Sequence, residues 1–197
     1  MTPRERLLEA SIHCLREQGW AKTTTRQIVA RARMHVPSVN YYFGSKERLL
    51  HDAAVEALRR WTATTMDAVH PSPDDPGGEL RRSVERFLDT LEADRPYVVA
   101  AVEAFAQAER SDELRERLAD AYATFRSLVV ERIQPGATET ETRTSGALPL
   151  ASVLIALFDG LALQRLIAPN DMLSADEVLA GLAALSHIAS RPQPEKV

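Results

Sequence analysis

The sequence predicts an all-α protein of about nine helices. An N-terminal three-helix unit with a helix-turn-helix layout precedes a larger, acidic helical body. Three observations predict this. Alanine is abundant, at 29 residues, beside many Leu, Arg and Glu, all good helix formers. No useful stretch alternates apolar and polar residues with a period of two. Charge is divided: residues 1–50 hold nine Lys/Arg against four Asp/Glu, a net +5, while residues 51–197 hold 15 against 24, a net -9. A basic head on an acidic body points to a polyanionic partner for the head alone.

Composition also narrows the function classes. A chain of 197 residues buries a sizeable core without a covalent staple. Cys14, the single cysteine, excludes a disulfide framework and a multi-cysteine zinc site. No run of 18 apolar residues is present, so no membrane span is expected. MTPRERLLEA turns charged at once and lacks an apolar signal core, which leaves a cytoplasmic location as the expectation. The five histidines are scattered and never spaced i,i+4, so neither a metal site nor a cofactor is expected. No GxSxG, P-loop, GxGxxG or spaced carboxylate pair occurs, and no catalytic residue is assigned.

The elements follow in order. Pro3 suits a first helical turn, Leu7, Leu8, Ser11, Ile12 and Leu15 recur at helical spacing, and Gly19 stops the run. Residues 19–50 break into short helices at Thr23–Thr24, His35–Pro37 and Gly44–Ser45. A long pattern then runs from Lys46 through Leu49, Leu50, Ala53, Ala54, Ala57, Leu58 and Trp61 to about Val69. HPSPDDPGG at 70–78 reads as a linker. Helices are expected at 79–93, at 96–109 after Pro96, and at 112–133. Residues 134–149 read as a polar loop and 150–168 as a strongly apolar helix. Ser174 with Glu177 makes a capping box for a last helix to about Ser190. The domain boundaries expected are 1–50 for the head and 51–190 for the body, with 191–197 a frayed tail.

Two short basic, hydroxyl-rich helices joined by a tight turn form the layout in which the second helix enters the major groove. Thr23 or Thr24 can cap the first of them and leave amides free for a phosphate. Ile28, Val29 and Ala32 face inward, and Arg33-Met34-His35 is the turn. His35 is expected to open the reading helix as a polar cap. Tyr41, Tyr42 and Phe43 cannot all face inward, because successive helical residues turn about 100°. Phe43 is expected inside and Tyr42 outside.

These residues resemble the TetR family of bacterial regulators. The resemblance is carried by Gly19-Trp20, Thr23-Thr24, Ile28-Val29, Ala32-Arg33-Met34-His35, Tyr41-Tyr42-Phe43 and Ser45-Lys46-Glu47-Arg48-Leu49. It covers residues 4–50, and the remaining chain fits in length, helix content and helix order. It implies phosphate contacts by Thr23 or Thr24, Tyr42 and Lys46, and base contacts from the outer face of 35–41. The candidates there are Ser38, Asn40 and Tyr41. Asn40 can pair bidentately with adenine and Val36 can touch a thymine methyl. Arg4 can reach the backbone or a minor groove, Arg26 lies on the helix that crosses it, and His35 can contact phosphate or guanine. Arg33 and His35 stand where the family has Gly and Ser, so Arg33 is strained if that site needs positive φ.

In the body, the stripes Leu150, Val153, Leu154, Leu157, Phe158, Leu161 and Val178, Leu182, Leu185, Ile188 suit a four-helix bundle made by two subunits. Two heads about 34 Å apart could then read a palindrome. A ligand site inside the body is implied by the resemblance. Its candidate lining is Trp61, Met66, Phe87, Tyr97, Phe105, Tyr122, Phe125 and Phe158, with Glu103, Gln107 and Gln164 orienting a mostly apolar small-molecule effector. The resulting expectation is a homodimeric repressor of a double-stranded DNA operator, released by a small molecule. Two alternatives stay open: a DNA-bound protein acting through a protein partner, and a helical enzyme or carrier with a vestigial head.

Overall fold

The computed structural model describes residues 1–67 and 76–190. Among these residues lie nine helices and no strand. Helix α1 (Pro3–Gln18) starts at a reciprocal cap: the Thr2 hydroxyl accepts the Glu5 amide, and the Glu5 carboxylate accepts the Thr2 amide. Its inner face is Leu7, Ala10, Ser11, Cys14 and Leu15, all buried. Helices α2 (Thr25–Ala32) and α3 (Pro37–Phe43) complete the head. Helix α4 (Lys46–Asp67) then runs from head to body. Leu49, Leu50, Ala53 and Ala54 on it are fully buried, so the expected boundary at 50/51 falls inside one helix.

The body comprises α5 (Pro76–Ala108), α6 (Asp112–Ile133), α7 (Glu139–Thr144), α8 (Ala147–Ile167) and α9 (Ala175–Ala189). Two expectations are corrected here. The helices expected at 79–93 and 96–109 are one, with Pro96 inside it. The proline removes one helical hydrogen bond. Yet Val84, Phe87, Leu91, Asp94, Val98 and Ala101 keep one buried stripe in register across it, and that packing outweighs the local cost. The loop expected at 134–149 contains α7, because Thr138 and Glu141 form their own capping box, and α8 begins at Ala147. The expected linker at 70–78 lies mostly outside the described residues; positions 76–78 begin α5. Residues 191–197 also lie outside them.

One core runs without interruption from Leu7 and Ile28 in the head to Phe87, Phe158 and Val178 in the body. A second cluster gathers Met66, Phe125, Val129, Val130, Ala147, Ala151 and Ile155 at the far end. Helix α8 is long and apolar enough to cross a membrane by length and composition alone. Here its Ala151, Ile155, Phe158, Leu161 and Ala162 side chains are buried in the protein's own core.

Candidate nucleic-acid interface and head–body seam

The α2–α3 turn explains how the head keeps its shape without the expected glycine. Arg33 sits in the left-handed region, φ 53° and ψ 52°, the only non-glycine at positive φ among the described residues. The Met34 amide donates to the Val29 carbonyl (2.8 Å) and the Arg33 amide to the Ala30 carbonyl (3.2 Å), a helix-ending pair of bonds that outweighs the strain.

Helix α3 turns Val39 and Phe43 inward, one helical turn apart. The opposite side presents Val36, Asn40 and Tyr41, all exposed, with Tyr41 at 82%. Ser38 is half-buried and His35 is exposed. Phe43 is inside as expected, but Tyr41 rather than Tyr42 is the most exposed ring. Tyr42 leans on the core and meets Tyr41 edge-on at 4.8 Å. His35 does not cap α3: Val36 holds the cap position without a side-chain bond, while the His35 carbonyl accepts the Ser38 amide.

Thr23 and Thr24 divide the work that either could have done. Thr24 caps α2 in a capping box with Gln27 and stays exposed. Thr23 is 1% exposed, and its hydroxyl donates to the Gly19 carbonyl (2.7 Å), so it is not placed to meet a phosphate. Arg26 is exposed on α2. Lys46, half-buried, opens α4 with its ammonium 3.9 Å from the Glu47 carboxylate. Arg4 does not hang free. It donates to Asp52 (2.6 Å) and lies 4.7 Å above the Phe43 ring.

The head is fastened to α5. The Glu103 carboxylate accepts the Trp20 amide (2.7 Å), and the Arg16 guanidinium stacks 3.9 Å over the Tyr97 ring. His51, buried beside Trp20, has an Nδ1 without a hydrogen-bond partner among the described residues, and burial holds its pKa below the ordinary value. Tyr97 and Glu103, expected to line a ligand site, therefore serve this seam.

The other expected ligand residues are divided between two buried clusters and the surface. Trp61, Phe87 and Phe158 are core, with Phe87 and Phe158 rings 4.6 Å apart. Met66 and Phe125 belong to the second cluster. Phe105 is partly exposed, Gln107 half-buried and Gln164 exposed on the outer groove between α8 and α9. Tyr122 does mark something. Its hydroxyl donates to Asp159 (2.9 Å), the one acid of apolar α8, and Phe105 lies 6.0 Å from its ring. Burial pushes the Asp159 carboxyl above the ordinary range and the Tyr122 phenol far up. Asp159 was legible as the lone acid in that helix.

The expected interface stripe is corrected as well. Phe158, Leu161 and Val178 are buried in the core, and Leu154, Leu157 and Leu182 are half-buried. Leu150, Val153, Leu185 and Ile188 are exposed. The stripe as read from the sequence spans two helix faces, one turned inward and one outward.

A basic head whose second short helix exposes polar residues defines a helix-turn-helix DNA-binding protein. Residues 7–53 match the model of bacterial regulatory proteins of the tetR family, and residues 76–190 match that of the BetI-type transcriptional repressor C-terminal region. The chain belongs to the TetR family, with a BetI-type C-terminal part. It is similar to the nicotine-responsive transcriptional repressor HdnoR of Paenarthrobacter nicotinovorans, 24% identical over 85% of this chain and 86% of that protein. It is 30% identical to the transcriptional regulator BetI of Burkholderia cenocepacia HI2424, over 84% of this chain and 82% of that one. SCO7518 of Streptomyces coelicolor A3(2) superposes with a TM-score of 0.70 at 25% identity, covering 96% and 99% of the two chains. The protein is a helix-turn-helix transcriptional repressor, not an enzyme.

Proposed function

We propose that this repressor acts in the cytoplasm as a homodimer on a palindromic operator and is released by a small, mostly apolar molecule. The outward face of α3, with Val36, Asn40 and Tyr41 exposed over a buried Val39 and Phe43, is the observation that carries the DNA part. Asn40, Tyr41 and Ser38 read bases, while Thr24, Arg26, His35, Tyr42 and Lys46 meet the backbone. An apolar groove of about 410 Å³ between α8 and α9, floored by Leu161 and Val178 and flanked by Leu157, Leu182 and Leu185, supports pairing of two subunits through these helices. Asp159, sheltered beside Tyr122 with no cation paired to it among the described residues, suits an effector that carries a basic nitrogen. The nicotine response named for HdnoR accords with that.

Selection of bound duplexes from random DNA, repeated with candidate amines, tests the proposal. Tyr42→Phe and Lys46→Ala should weaken binding to every sequence and flatten its salt dependence, whereas Asn40→Ala should relax one base position. Equal losses on operator and random DNA for Asn40→Ala reject its role. A solution mass of one chain rejects the dimer.

A further inference from the structure

We propose that Asp52 is a positioning residue that carries the placement of the body to the reading helix, by holding Arg4 on one side and Arg117 on the other. Asp52 stands on α4 with its side chain only 16% exposed. Arg4 of α1 binds its Oδ2 at 2.6 Å, and Arg117 of α6 binds its Oδ1 at 2.6 Å. Two guanidiniums on separate oxygens fix a carboxylate in direction as well as place. Arg4 also rests on the ring of Phe43, the last residue of α3. Four side chains thus make one unbroken line, α6 to α4 to α1 to α3.

The line has a parallel rung. Arg48 lies 3.6 Å from Glu113, one helical turn before Asp52 and Arg117 on both helices. The two rungs hold α4 and α6 in one register. Arg4, Asp52 and Arg117 also line a cleft of about 310 Å³ with Leu8, Val55, Glu56, Arg59 and Asp120. A displacement of α6 therefore moves Asp52, and Arg4 passes the movement to Phe43. Family membership supplies the DNA-binding role on which this rests; it needs no particular effector.

The test uses the full chain, an operator duplex obtained by selection, and a random duplex as the reference. Arg117 lies on the body, outside the proposed DNA contacts. Arg117→Met should lower the operator-to-random affinity ratio by about threefold to tenfold, the size of coupling that adjoining charged groups carry. In an Arg4→Met background the same change should have no further effect. A ratio unchanged by Arg117→Met, or losses that multiply in the double variant, overturns the proposal. Amide hydrogen exchange supplies a readout free of DNA. Arg117→Met should speed exchange across 37–43 by about threefold or more while leaving α9 unchanged. Equal exchange in α3 overturns the relay even if DNA binding itself proves otherwise than proposed.

Discussion

Replacing Arg33 by glycine should stabilise the protein, although it deletes a charged side chain from the surface of the DNA-binding head. The backbone at Arg33 has φ 53° and ψ 52°, a conformation in which an L-residue's Cβ crowds the following carbonyl. That crowding costs roughly 1–2 kcal/mol, and glycine escapes it. Glycine also frees the unfolded chain, which returns about 0.4–1 kcal/mol of the gain. The net expectation is about 0.5–1 kcal/mol in favour of Arg33→Gly. For a chain of this size that raises Tm by about 1–4 °C. Arg33→Ala is the necessary control, because it removes the same side chain and keeps the Cβ. Thermal melts of the three proteins at one matched concentration should rank Gly above both Arg and Ala. A glycine variant no more stable than the alanine variant would refute the reasoning, since the turn would then cost nothing to an L-residue.

Three further outcomes are expected. Gly19→Ala should destabilise the head by about 1–3 kcal/mol, read as a lower denaturation midpoint. Gly19 has φ 79° and ψ 177°, and a Cβ there would stand 2.6 Å from the Glu103 carboxylate that receives the Trp20 amide. The hydrogen bond from Arg60 holds the Glu9 carboxyl below its ordinary range, so its contribution is present above that range and is lost as pH falls through it. Stability of Glu9→Gln should therefore fall less than that of the parent between neutral and acid pH. Asp159 has the opposite sign: burial raises its pKa in the folded state, so its ionised form opposes folding above that value and the penalty fades as pH falls. Asp159→Asn should melt higher than the parent at neutral pH yet lose its response to a cationic effector. An unchanged response would remove Asp159 from the ligand site.

Local signals in the sequence translated directly into structure. Ser174 with Glu177 is a cap written three residues apart, and it forms as such; the same spacing holds for Thr2 with Glu5 and Thr24 with Gln27, where the sequence reading rests on Pro3 and on either threonine of the pair 23–24. Phe43 could be placed inside because three consecutive aromatics cannot share one face. What escaped depends on distant partners. The exception is Thr23, whose partner Gly19 is only four residues away; two adjacent threonines offer the same cap, and the local sequence does not say which of them turns back. Arg4 looks like a free N-terminal arm until α4 brings Asp52 beneath it, 48 residues away. Tyr97 reads as an aromatic lining residue and Glu103 as a polar break in an apolar pattern; in the fold they meet Arg16 and the Trp20 amide. Pro96 was misread for the converse reason. A proline is a strong local signal to stop, and a stripe of buried side chains on both sides of it overrides that signal.

That proline gives α5 uneven stiffness along its length. The residues before it hold α9, through the contact of Arg81 with Asp176, and the residues after it hold α1 and the Trp20 turn. A helical rod missing one internal tie flexes most readily at the gap. Position 96 is thus where α5 depends on its buried face, rather than on its backbone ladder, to stay continuous between those two attachments.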